Sequence, residues 1–157
     1  MKQLVAYFSA TGITAGVANS LADAIGADVF EIRPAQVYSP EDLNWWEETS
    51  RSTLEMKDPK ARPEISRSLP QMGEYSRVYV GFPIWWGVAP RIINSFLESY
   101  DFEGVTLIPF ATSGGSGAEK VRQSLADSAK GARLLEASLL KPDAGYQALS
   151  DWADTKK

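Results

Sequence analysis

The chain has 157 residues, the size of one domain, with 44% hydrophobic and 23% charged residues, the composition of an ordinary soluble globular protein. It contains no cysteine and no histidine, which excludes disulfides, thiol nucleophiles, Cys/His zinc sites and histidine-based catalytic triads. Lys plus Arg number 16 against 20 Asp plus Glu, and the net charge of −4 argues against nucleic acid or an anionic membrane as partner.

The segment Leu4-Val5-Ala6-Tyr7-Phe8 enters a strand pattern directly, without signal-peptide architecture, and no apolar run approaches a membrane span. Cytoplasm is therefore the expected compartment. Continuous apolar runs of this kind suit strands buried on both faces of a parallel sheet. Ile13, Val17, Leu21 and Ile25 then recur at helical spacing, with Gly26 as the stop. Residues 28–32 read as a second strand closed by Pro34. Residues 40–56 carry a polar helical pattern with Leu43, Trp45, Trp46, Leu54 and Met56, and the two prolines of 58–65 forbid regular helix there. Val78-Tyr79-Val80-Gly81-Phe82 is a third strand. A helix starts near Pro90, placing it in the first turn, and runs through Ile93, Phe96 and Leu97. Residues 105–111 form a fourth strand, Val121, Leu125 and Ala129 mark a further helix, 134–140 holds a weak fifth strand, and 143–154 a last helix. One domain over residues 1–157 is expected, an α/β fold with a doubly wound parallel sheet and helices on both faces.

In such a sheet ligands bind beyond the carboxyl ends of the strands. The polar and glycine-rich clusters fall there. In the first, Ser9, Thr11 and Thr14 offer hydroxyls, Gly12 allows close approach, and the helix that starts at Ile13 presents unpaired N–H groups that suit a phosphate. The same residues also read as a simple helix cap. The loop lacks the lysine of GxxxxGK[ST] and the spacing of GxGxxG. In the second cluster, Pro83, Ile84, Trp85, Trp86 and Gly87, an extended segment turns at most one indole inward, leaving the other for a flat ring. Gly87 tolerates either sign of φ and so suits a peptide that reorients. The third, Thr112, Ser113, Gly114, Gly115, Ser116 and Gly117, offers backbone N–H groups and serine hydroxyls, with Ser116 a candidate cap for the next helix.

The pattern Ser9-x-Thr11-Gly12-x-Thr14-x-x-x-Ala18-x-x-Leu21 resembles the phosphate loop of flavodoxin-like proteins that bind FMN. Residues 81–91 and 109–117 resemble a bacterial flavodoxin-like subfamily related to FMN-dependent quinone reductases, and Arg51–Glu55 with Ala61-Arg62-Pro63 also fit it. The resemblance implies a five-stranded sheet in the order 2-1-3-4-5. It also implies FMN as cofactor, held by the three clusters, with the flavin and no catalytic side chain carrying the chemistry. Electron-carrier flavodoxins usually place an aromatic residue in the third loop; here there is none between Thr112 and Gly117. That departure points to an FMN-dependent oxidoreductase passing electrons or hydride from NAD(P)H to a small acceptor such as a quinone. A flavodoxin-type electron carrier serving a redox protein partner, and a cofactor-free interaction module, are the alternatives. Tyr38, Trp45 and Trp46 read as an amphipathic flap against the domain or a second subunit, or as a direct cofactor contact. The Arg62-Pro63 pair reads as a turn. Either a monomer or a homodimer is compatible with these features.

Overall fold

Apolar strands that must be covered on both faces draw helices to both sides of the sheet. The computed structural model describes residues 2–157. In chain order the elements are β1 (Lys2–Tyr7), α1 (Ile13–Ile25), β2 (Asp28–Glu31), α2 (Arg51–Lys57), a 3-10 turn at Pro70–Glu74 and β3 (Tyr75–Pro83). They continue with α3 (Arg91–Glu98), β4 (Thr106–Thr112), α4 (Val121–Leu125), β5 (Arg133–Leu134), β6 (Ser138–Leu139) and α5 (Tyr146–Asp154). The strands pair in parallel in the order β2-β1-β3-β4-β5, with β6 also pairing with β4. This is the expected order, with one correction. The fifth strand is in two pieces: β5 pairs with Thr106 and Leu107, and β6 with Phe110 and Ala111, along the same edge. Between them Glu136 turns out to an ion pair with Arg122 (3.0 Å), and the ladder breaks.

Leu4, Val5 and Ala6 are fully buried in sequence, as a strand covered on both faces requires. Val5, Tyr79, Ile108 and Phe110 pack against Val17, Ala18 and Leu21 of α1 and Leu149 and Ala153 of α5. Leu4, Ala6, Val78, Val80 and Phe82 pack against Ile92, Ile93, Phe96 and Leu97 of α3 and Val121 and Leu125 of α4. Ile13, expected on the buried stripe, is 52% exposed at the start of α1, where it borders a cavity instead. Pro90 stands just before α3 rather than in its first turn. Gly81 lies where the sheet closes over Phe110, and a Cβ there would overlap the ring.

The polar helix expected over 40–56 is largely absent; only Arg51–Lys57 is α-helical. Local side-chain bonds compete with the helix. Ser39 N donates to Asp42 Oδ2 (3.0 Å), Asp42 N donates to Ser39 Oγ (3.1 Å), and Asn44 Oδ1 takes the N–H of Trp46 (3.1 Å). The chain therefore turns through 40–49 before Ser50 caps α2, its Oγ accepting from Thr53 N.

Candidate functional site

Parallel register places the ends of β1, β3 and β4 side by side. Phe8 N donates to Gly81 O (2.9 Å) and Ile84 N to Thr112 O (2.9 Å), so the three loops leave the same edge in contact. In the first loop Gly12, at φ +95, opens the 13-residue α1, and its N–H donates to Ser9 Oγ (3.0 Å). Thr11 is exposed. Thr14 is buried, and its hydroxyl bonds that of Thr112 (2.8 Å), tying the first loop to the third.

The second loop is a tight hairpin. Trp85 N donates to Val88 O (3.0 Å) and Val88 N to Trp85 O (3.1 Å), with Trp86 (φ 52) and Gly87 (φ 79) between them. Two successive positive φ values are the mark of a type I′ turn. Glycine takes this conformation freely, whereas a tryptophan there is strained. The two indoles divide as expected. Trp85 turns inward, its edge against Phe8 (5.7 Å between centroids) and Tyr38 (5.5 Å), while Trp86 is 49% exposed. In the third loop Ser113 Oγ donates to Ser116 O (2.7 Å) and accepts from Gly115 N (3.1 Å), rounding the backbone toward solvent. Ser116 does not cap a helix, because α4 begins at Val121, after Lys120.

Two cavities share Ile84, Ser113 and Gly114. The smaller, about 210 Å³, lies among Ala10, Thr11, Ile13, Thr14, Pro83, Thr112 and Pro142. The larger, about 560 Å³, is lined by Trp85, Trp86, Gly115 and Ser116 of the second and third loops and by Leu43, Trp45 and Ser52 of the 40–57 segment. The whole is a groove with a hydroxyl-lined end beside the start of α1 and a wide, indole-walled end. Ser9 borders a separate small cavity with Tyr38 and Arg33, and Gly12, Gly87 and Gly117 shape loops without lining the groove.

Trp45, Ser52 and Pro142 are site residues that the sequence motifs did not supply. The Trp45-Trp46 doublet was visible as a flap; its stacked rings (4.1 Å apart) put Trp45 on the larger cavity. The flap is anchored behind Trp85. Tyr38 donates to Glu55 (2.5 Å), and the Arg51 guanidinium lies 3.8 Å from the centre of the Tyr38 ring while Arg51 Nε donates to Glu55 (3.0 Å). Burial, then the Glu55 carboxylate beside it, push the Tyr38 phenol far above its ordinary range, so it stays a neutral donor. Arg91 holds the far end of α2 by donating to Met56 O (2.9 Å). Arg62 donates to the carbonyls of Pro59 and Ala61 and pairs with Glu98, the role of a turn clamp away from the groove.

Solved structures resemble the chain over nearly its whole length. A candidate flavoprotein from Bacteroides eggerthii is 44% identical with a TM-score of 0.93, covering 99% of this chain and 97% of that one. A second, from Bacteroides uniformis, is 45% identical with a TM-score of 0.91, covering 98% and 97%. A flavoprotein in complex with FMN from Lactobacillus acidophilus shares the fold at 19% identity, with a TM-score of 0.75 over 88% of this chain and 92% of that one. None of the curated proteins matches. Residues 2–156 match the flavodoxin family model, and the chain belongs to the flavodoxin family.

Proposed function

We propose that this chain binds FMN and is an FMN-dependent oxidoreductase that takes electrons or hydride from NAD(P)H and delivers them to a small acceptor such as a quinone. The groove fits the cofactor by the chemistry of its two ends. A phosphate suits the start of α1, where unpaired N–H groups and the exposed Thr11 hydroxyl gather. A flat tricyclic ring suits the wide end, where Trp85 and Trp86 supply apolar walls and the Ser113–Ser116 backbone a polar one. When bound, FMN supplies the redox chemistry, accepting two electrons and passing them on. The protein's own residues bind, orient and shield: Tyr38 and Phe8 fix Trp85, and the Thr14–Thr112 bond holds two of the loops at one spacing.

The observation that carries the enzymatic reading is the width of the indole-walled end. Its third-loop wall holds no aromatic residue, and the cavity, about 560 Å³, extends to Trp45, an opening that suits a second planar molecule. The exposed acids Glu41, Glu47 and Glu48 on the flap favour the alternative, an electron carrier that docks a basic protein surface. The decisive experiment is anaerobic addition of NADH or NADPH to the FMN-loaded protein. Direct bleaching of the flavin's visible band, followed by turnover with a small quinone, supports the oxidoreductase. A flavin reduced only by dithionite or by a partner reductase makes it a carrier.

A further inference from the structure

Trp45 and Trp46 are the most exposed tryptophans of the chain, at 60% and 77%, and neither packs into the core. They stack instead on each other, with ring centroids 4.1 Å apart and planes 25° from parallel. Contiguous exposed apolar surface beside a groove marks a place of binding. Trp45 lines the indole-walled cavity and Trp46 does not. Trp46 therefore backs one face of Trp45 from outside the cavity, and Trp45 offers the cavity its other face and its edges. That surface is open to a ligand in the structure as it stands. The backing also orders the Trp45 ring in advance, which lowers the cost of fixing it when a ligand stacks.

The rest of the cavity narrows the ligand class. No charged side chain lines it: beside the indoles its walls are leucine, isoleucine, serine and glycine. A charged ligand would shed water there without a counter-ion, so an uncharged one is favoured. Glu47 and Glu48, exposed and next in sequence to Trp46, add a field that repels anions. The face of an indole is electron-rich and attracts a ring made electron-poor by conjugated carbonyls. We propose that Trp45 is the stacking residue of the acceptor subsite, taking an uncharged, electron-poor planar acceptor of the quinone class against the face that Trp46 leaves free. The inference rests on the oxidoreductase reading and adds to it the residue that seats the acceptor and the acceptor's charge class.

The test compares Trp45→Ala, Trp45→Phe and Trp46→Ala with wild type, all loaded with FMN. Trp45 has no core contact to lose, so Trp45→Ala keeps the wild-type Tm, and its FMN affinity stays that of wild type. Difference spectra of the oxidised holoprotein titrated with 1,4-naphthoquinone show affinity weakened about three- to tenfold in Trp45→Ala, the scale of one aromatic stack. Trp45→Phe restores most of it, and Trp46→Ala, which removes only the backing, loses less than Trp45→Ala. A sulfonated naphthoquinone binds wild type more weakly than the neutral one, by a margin that shrinks with added salt. Equal naphthoquinone affinity in Trp45→Ala and wild type overturns the inference, as does a larger loss in Trp46→Ala than in Trp45→Ala. Loss of FMN affinity in Trp45→Ala with quinone binding retained also overturns it, assigning the indole to the flavin itself. Sulfonated quinone bound as tightly as neutral overturns the charge class. The oxidoreductase reading is tested separately, by adding naphthoquinone to the anaerobically photoreduced wild type. Two electrons pass from the reduced flavin to the quinone, which takes two protons, from the flavin and from water, to become the hydroquinone. A reduced wild-type protein that binds the quinone and is not reoxidised by it overturns that reading, whatever the effect of Trp45→Ala on affinity.

Discussion

Trp86 shows a single residue held against its backbone preference at a candidate ligand site. Its φ of 52 places a bulky side chain in the left-handed region, at a cost of about 1–2 kcal/mol relative to glycine. Such strain persists where the side chain has a use, and this indole walls the groove. Replacement Trp86→Gly should therefore raise the unfolding free energy of the cofactor-free protein by about 1 kcal/mol while weakening FMN. Chemical denaturation and flavin titration measure the two effects separately, and parallel losses in both would contradict the assignment. Trp85→Ala should do the opposite on stability. That ring packs on Phe8 and Tyr38, so its loss should destabilise by about 2–3 kcal/mol, less than a fully buried aromatic. At Gly81 the constraint is space alone: Gly81→Ala forces a methyl group into the Phe110 ring and should cost about 1–3 kcal/mol by thermal or urea unfolding.

Between elements, what the sequence makes legible depends on which force sets the structure. β1, β3 and β4 are continuous apolar runs whose burial on both faces leaves little choice, and the loops at their ends follow from register, so the groove was legible in outline. The turns through 40–49 were not, because Asp42 and Asn44 stop a helix through side-chain geometry that hydrophobic spacing does not record. Ser52 was invisible for a further reason: it reaches the groove only once α2 is docked beside Trp45. Docking of the neighbouring 58–68 segment rests partly on Glu98, which takes both contacts of Arg62 Nε (3.0 and 3.1 Å) and the Ser128 hydroxyl (2.6 Å). The hydrogen bond from Arg62, then that from Ser128, hold the Glu98 carboxyl below its ordinary value. A folded-state pKa below the unfolded one gives stability that is complete above the ordinary carboxylate range and lost as pH falls through the folded value. Wild type should therefore lose its advantage over Glu98→Gln on acidification, by about 0.2–1 kcal/mol, since the pair is partly solvated. Unfolding free energies measured from neutral pH down to pH ~3 check this, and a pH-independent gap would assign Glu98 a packing role instead.

On the scale of the whole molecule, the groove lies where three loops leave the sheet, so a ligand filling it joins parts of the chain distant in sequence. The Thr14–Thr112 bond already couples the first loop to the third across 98 residues. A ligand bound only by the folded state adds RT ln(1 + [L]/Kd) to stability, about 2.7 kcal/mol at a hundredfold excess over Kd. For a chain of this size that corresponds to a rise in Tm of about 5–10 °C. The hydroxyl-lined end predicts that much of the effect needs the phosphate: riboflavin at the same concentration should raise Tm far less than FMN. Thr11 and Thr14 then separate binding from architecture. Exposed Thr11→Ala should leave the ligand-free Tm near wild type and reduce the FMN shift toward that of riboflavin, consistent with loss of one charge-assisted bond of about 1.5–3 kcal/mol. Thr14→Ala leaves the buried Thr112 hydroxyl without its partner and should lower the ligand-free Tm by an amount equivalent to about 1–3 kcal/mol before any ligand is added. Thermal melts with and without each ligand decide the matter. Equal shifts from riboflavin and FMN, unaffected by Thr11→Ala, would remove the phosphate from the start of α1 and leave the indole-walled end to account for flavin binding alone.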